Sequence, residues 1–446
     1  MDITVPNNAE SIPLTSVNDF KGLVLNVTNL SNDFFLFSYY NKADDVYVST
    51  YCIDNGDYSS IKKLSKGRKL LVIIDKNPWV NNRKGYGYGH VRKDIVLLKN
   101  GKAQNKPIMP YNNKYSKAVC KVYDMNYPGL TISNLTFNRS SKCKSMTFLF
   151  DLKGVDNVEV RDVVINTPQN DMVNDQAIRI TDCSNVTMEN VAINGTYSRT
   201  NHSGYGICMD NVWKYRANKL FGKGNWGIFG NNNINDSFIE KSEINRFDIH
   251  CYGRDVAFKD VKFVDLYNQF SSVYGTISFD GCVFDKFTPI LYESSYNTYN
   301  EHRVSFENCS FIMDKYHHYF IRMGNISETH NARNELSDVL WPEINMHNVK
   351  VILPKEVKDV FLFSSSNEKK KPITIDSIKS IDINNITFLC VDEQINPTFY
   401  LSNLDVSTKK RVPITITDVT MMKGGHETKA SSVSLTKRVV VNIKSR

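Results

Sequence analysis

The chain has no apolar run that approaches the ~18 residues of a membrane-spanning helix. Its first ten residues, MDITVPNNAE, have neither the basic region nor the apolar core of a secretory signal peptide. A leader removed before this sequence begins stays an open alternative. Hydrophobic residues make up 41% of the 446 residues and charged residues 23%, which is typical of a folded, core-forming protein rather than a disordered one.

Paired cysteines are missing as well. The nine cysteines stand singly and no CxxC pair occurs, which argues against a zinc ribbon or a redox dithiol. Cys282 in FDGCVF and Cys309 in FENCSF stand where a small apolar residue fits, so we expect free thiols packed as small hydrophobic side chains. Unpaired thiols fit folding in a reducing cytosol better than folding during secretion. The P-loop, dinucleotide-binding, zinc-protease and kinase motifs are also absent.

The charge balance is positive, with a formal net charge of +8. An acidic partner, either an anionic polysaccharide or a nucleic acid, fits such a balance. The lysines and arginines are scattered and form no strongly basic helix. These observations leave both classes of partner open. The alternative is that the basic balance merely aids solubility.

A repeat organises most of the chain. Each unit has a short alternating strand, a polar pair that often contains Asn or Asp, and a second short strand. Examples are GLTISNLTF (129–137), NVEVRDVVI (157–165) and NVTMENVAI (185–193), which start 28 residues apart. The apolar period is 2 and not 3.6, which disfavours helical repeats. Stacked units of this size with Asn-rich corners predict a parallel β-helix, in which each unit buries its apolar face on its neighbours.

This organisation resembles the right-handed parallel β-helix proteins of the pectin-lyase-like superfamily, over roughly residues 120–421. That superfamily includes pectate lyases, polygalacturonases, alginate epimerases and bacteriophage tailspikes, most of which act on polysaccharides along a groove on the flank of the helix. The resemblance implies an enzyme that degrades an acidic surface or matrix polysaccharide. The expected partner is therefore an anionic polysaccharide, with neither nucleic acid nor membrane. A tailspike-type depolymerase would be a homotrimer at the virion surface or outside the cell.

Three regions are predicted. Residues 1–120 contain strands and the hairpin turn Asn100-Gly101, and we expect an N-terminal β cap or small adaptor domain there. Residues 121–421 form the all-β, right-handed parallel β-helix. Residues 422–446 are a polar loop followed by a terminal strand.

The run INRFDIHCYGRD (244–255) contains the main candidate site. Asp248, His250 and Tyr252 alternate with Ile249 and Cys251, so in an extended strand the polar groups share one face. A catalytic row on the outer surface is one interpretation. Ordinary solvated residues on a half-buried strand are the other.

Neighbouring rungs extend this predicted row. If the apolar residues of the strands AIRIT and ICMDN point inward, Arg179 and Asp210 both face outward. If Asp210 and Asp248 lie about two rungs apart, their Cα atoms are roughly 10 Å from each other. The sequence therefore predicts Asp248, His250, Asp210 and Arg179 as catalytic residues.

Two reaction types fit these residues. A glycoside hydrolase needs one carboxyl group to protonate the leaving oxygen and a second to activate water or attack. A lyase needs a base such as His250 and cations that neutralise the uronate carboxylate. The sequence leaves both open, together with a non-catalytic carbohydrate-binding β-helix and a uronate C5-epimerase that acts on the polymer.

Further residues are expected to bind substrate. They come from the same strand, from the loops 170–176 and 196–206, and from KGNWGIFGNNN. They are Tyr252, Arg254, Arg246, Trp226, His202, Tyr205 and Asp175. No metal or other cofactor is predicted, although two acids in the loop 170–176 leave a calcium site open as the alternative to a plain turn.

The polygalacturonase pattern is not matched. His202 stands in Asn-His-Ser rather than in a Gly-His-Gly turn, and the Asn-Thr-Asp strand and Asp-Asp pair of that family are missing. None of its catalytic residues is therefore carried over. The Gly- and Tyr-rich loop 77–90 is either a cap loop or a loop that reaches a substrate.

Overall fold

The structure is a computed structural model, and its described residues fall into two compact units. The first comprises residues 1–81 and 88–254, and the second residues 82–87 and 255–446. The described residues are 2–4, 10–29, 34–75, 81–82, 89–108, 111, 118–125, 129–140, 147–167, 176–195, 205–223, 227–265, 267–271, 273–292, 301–323, 342–365, 373–374, 378–392, 398–403, 406–407, 412–423, 426–429 and 433–434.

The elements that begin in the first unit are nearly all strands. In chain order they are β1 (Asp2–Thr4), β2 (Ile12–Pro13), β3 (Val17–Asn29), β4 (Phe34–Tyr40), β5 (Ala43–Val46), α1 (Thr50–Asn55), β6 (Arg68–Asp75), β7 (Asn81–Asn82), β8 (Gly89–His90), β9 (Lys93–Lys99), β10 (Lys102–Ala103), β11 (Ala118–Asp124), β12 (Leu130–Arg139), β13 (Thr147–Lys153), β14 (Asp156–Asn166), β15 (Gln176–Asn194), β16 (Tyr205–Lys223), β17 (Phe229–Glu240), β18 (Glu243–Ile244) and β19 (Asp248–Lys259).

Parallel pairing in the first unit follows the sequence repeat. Ile132 pairs with Val160, and Val160 with Met188, so each position meets the one 28 residues later. These side chains are fully buried and form the interior of the rungs. Burying an aliphatic side chain of this size contributes about 1.5–3 kcal/mol. The stack of rungs therefore supplies the core that no single repeat could form.

The corners explain the Asn-rich polar pairs. Asn134, Asp162 and Asn190 adopt left-handed conformations with φ of 60°, 53° and 53°. Asn and Asp tolerate this region because their short polar side chains bond locally. Asn190 Nδ2 also donates to Asp162 Oδ1 of the preceding rung at 2.7 Å. The 28-residue spacing thus places corner on corner.

An antiparallel sheet forms the rest of the first unit, with the strand order β10-β9-β6-β11-β5. Its buried side chains include Leu71, Ile73 and Val96. The parallel strands begin before this sheet, because β3 pairs with β12 and β4 with β13. Parallel pairing therefore starts earlier in the chain than the predicted boundary at residue 121, and the antiparallel sheet is inserted between rungs.

Most strands of the second unit also pair in parallel, and an antiparallel pairing joins residues 420–423 to 426–429. Its strands are β20 (Lys262–Val264), β21 (Tyr267–Phe270), β22 (Val273–Asp280), β23 (Val283–Asp285), β24 (Thr288–Tyr292), β25 (Glu301–Glu307), β26 (Ser310–Ile312), β27 (Tyr319–Met323), β28 (Glu343–Leu353), β29 (Asp359–Ser365), β30 (Ile373–Thr374), β31 (Ile381–Cys390), β32 (Thr398–Ser402), β33 (Val406–Ser407), β34 (Ile414–Lys423), β35 (His426–Lys429) and β36 (Val433–Ser434).

Stacked phenylalanines fill the second unit. The ring centroids of Phe258 and Phe279 lie 5.0 Å apart, and those of Phe279 and Phe306 lie 5.1 Å apart, with nearly parallel planes. Cys282 and Cys309 are buried beside them as free thiols, as predicted. Among the described residues, no helix has the length and apolar character needed to cross a membrane.

Candidate active site

A groove of about 890 Å³ lies in the first unit, on the face formed by β4, β13, β15, β16 and β17. Parallel pairing aligns Arg179 with Asp151 on one side and with Cys208 on the other. In the next column, Thr181 pairs with Asp210. The groove is therefore lined by side chains from successive rungs, as the sequence analysis expected for Arg179 and Asp210.

Arg179 forms an ion pair with Asp151. Its Nε donates to Asp151 Oδ1 at 2.8 Å, and a terminal guanidinium nitrogen contacts Oδ2 of the same group. Tyr40 also donates to Asp151 Oδ2, at 2.5 Å. Partial burial and then the neighbouring Asp151 raise the pKa of Tyr40 to about 12. Burial works against the charge of Arg179, but Asp151 outweighs it and raises the pKa of the guanidinium.

Asp210 is held by two groups. Lys93 of β9 forms an ion pair with Asp210 Oδ2. Asn233 Nδ2 donates to Asp210 Oδ1 at 3.0 Å. The Asp210 side chain is still 33% exposed toward the groove. Asp210 is therefore a partly accessible carboxyl group that Lys93 and Asn233 hold in position.

Asp182 is a third groove carboxylate beside Asp151 and Asp210, and no sequence pattern pointed to it. It follows Thr181 at a left-handed corner with φ of 52° and is buried. Burial raises the pKa of Asp182, although Asn211 donates to Oδ1 at 2.8 Å and Tyr123 to Oδ2 at 3.0 Å. This carboxyl group therefore favours its protonated form more than an exposed aspartate does.

Asp182 and Asp210 form the arrangement with the clearest chemistry. Asp210 is the direct strand partner of Thr181, the neighbour of Asp182, and adjacent strands lie about 4.8 Å apart. Their surroundings differ, since one carboxyl group is buried and the other contacts an ammonium group. Two carboxyl groups with such different surroundings can divide the roles of acid and base.

The predicted row 248–252 has a different environment from the expected one. The side chains of Asp248 and Arg246 are 0% and 1% exposed, and they form an ion pair at 2.6 Å. Tyr205 donates to Asp248 Oδ2 at 2.8 Å, and His250 Nε2 lies 2.9 Å from the same oxygen. Burial disfavours the carboxylate, but Arg246 and His250 outweigh it and lower the pKa of Asp248.

The expectation of an outward-facing row is therefore corrected. Asp248 is buried, and Tyr252 is also buried at a left-handed corner with φ of 61°, where the strand alternation breaks. Only His250 in this row is partly exposed, with 19% of its side chain accessible. Asp248 thus contacts His250 from the protein interior and does not face solvent.

The other predicted substrate-binding residues divide into two groups. Arg246 and Tyr205 belong to the buried network, and Arg254 NH1 donates to the main-chain oxygen of Ile108 at 3.1 Å. Trp226, His202, Asp175 and the calcium alternative at 170–176 lie outside the described residues. Within the described part of the chain, no cluster of three or more acidic, histidine or cysteine side chains has metal-binding geometry.

The ring of Tyr205 packs directly on Gly230. A Cβ atom at Gly230 would lie 2.4 Å from the Tyr205 ring, so the close approach requires glycine. Gly230→Ala is expected to displace the ring and destabilise the protein by about 1–3 kcal/mol. Urea unfolding of the single variant and of Gly230→Ala/Tyr205→Ala checks this. If adding Gly230→Ala to Tyr205→Ala costs as much as it does in wild type, the displacement explanation is contradicted.

Comparison with known proteins bears on the fold. No protein-family model matches the chain, and no curated protein matches it significantly. Among solved structures, the tailspike gp61 of Pseudomonas phage phi297 matches with a TM-score of 0.53 and 12% identity, over 97% of this chain and 74% of its own. The tailspike gp49 of Pseudomonas phage LKA1 matches with a TM-score of 0.48 and 11% identity, over 93% and 72%.

A third match is the gp54 tailspike of Acinetobacter baumannii bacteriophage AP22, solved with a capsular saccharide, with a TM-score of 0.41 and 12% identity, over 94% and 73%. At these identities the likeness to the phi297 tailspike concerns the fold alone. With the parallel register of the rungs, it confirms the prediction of an all-β parallel β-helix that resembles the phage tailspikes.

Proposed function

We propose that the protein cleaves an acidic polysaccharide in the groove of the first unit, by hydrolysis. One observation carries the proposal. Asp182, whose pKa is raised by burial, and Asp210, ion-paired with Lys93, line the same groove on adjacent strands. A pair of carboxyl groups with separate roles is what glycosidic hydrolysis needs.

In the proposed mechanism Asp182 is the acid. It gives its proton to the glycosidic oxygen as the bond to the anomeric carbon breaks, and the leaving sugar departs as an alcohol. Asp210 either takes a proton from the water that attacks the anomeric carbon, or attacks that carbon itself. In the second case water, deprotonated by Asp182, then breaks the bond from the sugar to Asp210 and releases the sugar. Lys93 stays positive throughout and keeps Asp210 oriented.

Cations support an acidic substrate. Lys121 and Lys153 line the groove and are exposed, and neither forms an ion pair among the residues the structure describes. Lys93 and Arg179 also line it but already contact Asp210 and Asp151. Lys121 and Lys153 can therefore bind the carboxylates or other anionic groups of a polysaccharide.

The tailspike-like fold supports a place for this activity at the virion surface or outside the cell. The homotrimer that the tailspike resemblance implies stays a prediction.

Elimination is a second candidate, favoured by the network around His250. Buried Asp248 and the Tyr205 hydroxyl hold Nε2 of this partly exposed imidazole at 2.9 and 3.0 Å. A carboxylate that orients a histidine is a common support for a base. In an elimination, such a base removes the proton next to the uronate carboxylate.

The test is incubation with a panel of acidic polysaccharides, followed by reducing ends and by the ultraviolet absorbance of unsaturated uronate. Reducing ends without absorbance are the expected result. A rise in both would move the chemistry to His250. Binding without either signal would favour a carbohydrate-binding β-helix, and a changed uronate composition without shortening would favour an epimerase.

A further inference from the structure

The antiparallel sheet reaches the groove through its main chain and its side chains. Asn233 of β17 accepts a hydrogen bond from the main-chain nitrogen of Lys93 at 2.8 Å and donates to the main-chain oxygen of Val91 at 3.3 Å. The same amide donates to Asp210 Oδ1 at 3.0 Å. One side chain therefore ties the sheet to the rungs at the carboxylate itself.

Lys93 of β9 is the first residue of the sheet whose side chain contacts a groove carboxyl group. Its ammonium group contacts Asp210, and 27% of the side chain is exposed. Burial works against the charge, but Asp210 outweighs it and raises the pKa of Lys93. The ammonium group is therefore a permanent charge at neutral pH, fixed beside Asp210 by the Asn233 bridge.

Tyr123 of β11 is the second. Its ring lies over Gly154, where a Cβ atom would come within 2.5 Å of the ring and where φ is 69°. Its hydroxyl donates to Asp182 Oδ2 at 3.0 Å, while Asn211 holds Oδ1 at 2.8 Å. The carboxyl plane of Asp182 is thus fixed by one group from the sheet and one from a rung.

We infer that the antiparallel sheet contributes two positioning residues to the active site. Lys93 positions Asp210, and Tyr123 positions Asp182. This inference rests on the proposed function. The rungs carry both carboxyl groups, but Lys93 and Tyr123 come from strands that follow no repeat. A sheet that merely covered the end of the helix would need neither contact.

Lys93→Met tests the first half of the inference. It removes the ammonium group that contacts Asp210 and so lets the carboxylate leave its position. A misplaced catalytic group typically costs about 10²-fold, so kcat is expected to fall by about that factor with KM nearly unchanged, and Lys93→Arg is expected to restore it. Lys69→Met is the matched control, because Lys69 of β6 in the same sheet pairs with the exposed Asp124.

Tyr123→Phe tests the second half. It keeps the ring over Gly154 and removes the donor to Asp182. Losing a hydrogen bond to the carboxylate favours the protonated acid. The basic limb of the profile is therefore expected to move to higher pH, while the acidic limb stays in place.

Each result decides between two statements. If the wild-type protein cleaves polysaccharide, and Lys93→Met and Tyr123→Phe have the same kcat and the same pH dependence of kcat as wild type, this inference is overturned. The proposed function would then stay intact. A wild-type protein that cleaves nothing would overturn both. Circular dichroism identifies a variant that does not fold, and Lys93→Gln then replaces Lys93→Met.

Discussion

Asp210→Asn is expected to lower kcat for polysaccharide cleavage by about 10²–10⁴-fold, which is the usual contribution of a positioned acid or base. The amide keeps the size of the side chain but can neither take a proton from water nor attack the anomeric carbon. Asp182→Asn is expected to have an effect of the same order, because the amide cannot give a proton to the leaving oxygen. Initial rates of reducing-end formation measure both effects.

Asp236→Asn is the matched control for these variants. Asp236 is also ion-paired, with Arg216 at 2.7 Å, and its side chain is 42% exposed. It is not among the residues that line the groove. Affinity electrophoresis in the same polysaccharide should show that the inactive variants still bind. Equal losses in Asp210→Asn and Asp236→Asn would mean that the effect is structural and that the pair is not catalytic.

The raised pKa of Asp182 also predicts a pH dependence. The acid works only while protonated, and burial keeps it protonated to higher pH than an exposed aspartate. Cleavage should therefore decline on the alkaline side as the pH rises through this raised pKa. In Asp182→Asn the residual rate should lack that limb. A decline that persists unchanged in the variant would assign the limb to another group.

The fold could be predicted because its causes are local and repeated. The alternation of apolar residues and the corner Asn and Asp residues recur every 28 residues, so the register of Ile132, Val160 and Met188 follows from spacing alone. Arg179 and Asp210 face outward from the rungs by the same alternation, and both line the groove. Periodicity identifies the rung position of a side chain.

The partners of these residues could not be predicted in the same way. Lys93 lies 117 residues from Asp210 in sequence, and it comes from a sheet without the repeat. Buried Asp248 accepts a hydrogen bond from Tyr205, whose ring packs on Gly230, and alternation does not encode such tertiary contacts. Period-2 patterns separate two faces of a strand, but they do not say whether a loop or sheet covers the outer face.

The second large effect is expected on stability, from Asp248→Ala. Removing one partner of a buried ion pair typically costs about 3–5 kcal/mol, since the other charge stays in a site shaped for the pair. Asp248 and Arg246 are the buried pair here, with 0% and 1% of their side chains exposed. The shift of the urea midpoint at unchanged slope measures the loss. Asp236→Asn neutralises a half-exposed pair, keeps a residue that tolerates the left-handed conformation at φ of 61°, and should cost no more than about 1 kcal/mol.

The pH dependence separates lost charge from lost packing. Because the pKa of Asp248 is lowered in the folded state, its carboxylate contributes stability that is fully present above the unfolded value of about 3.9. That contribution is lost as the pH falls through the lower, folded value. The difference in stability between wild type and Asp248→Asn should therefore shrink in this acidic window. If the difference in stability between wild type and Asp248→Asn does not change with pH, the charge of the Asp248 carboxylate does not stabilise the fold.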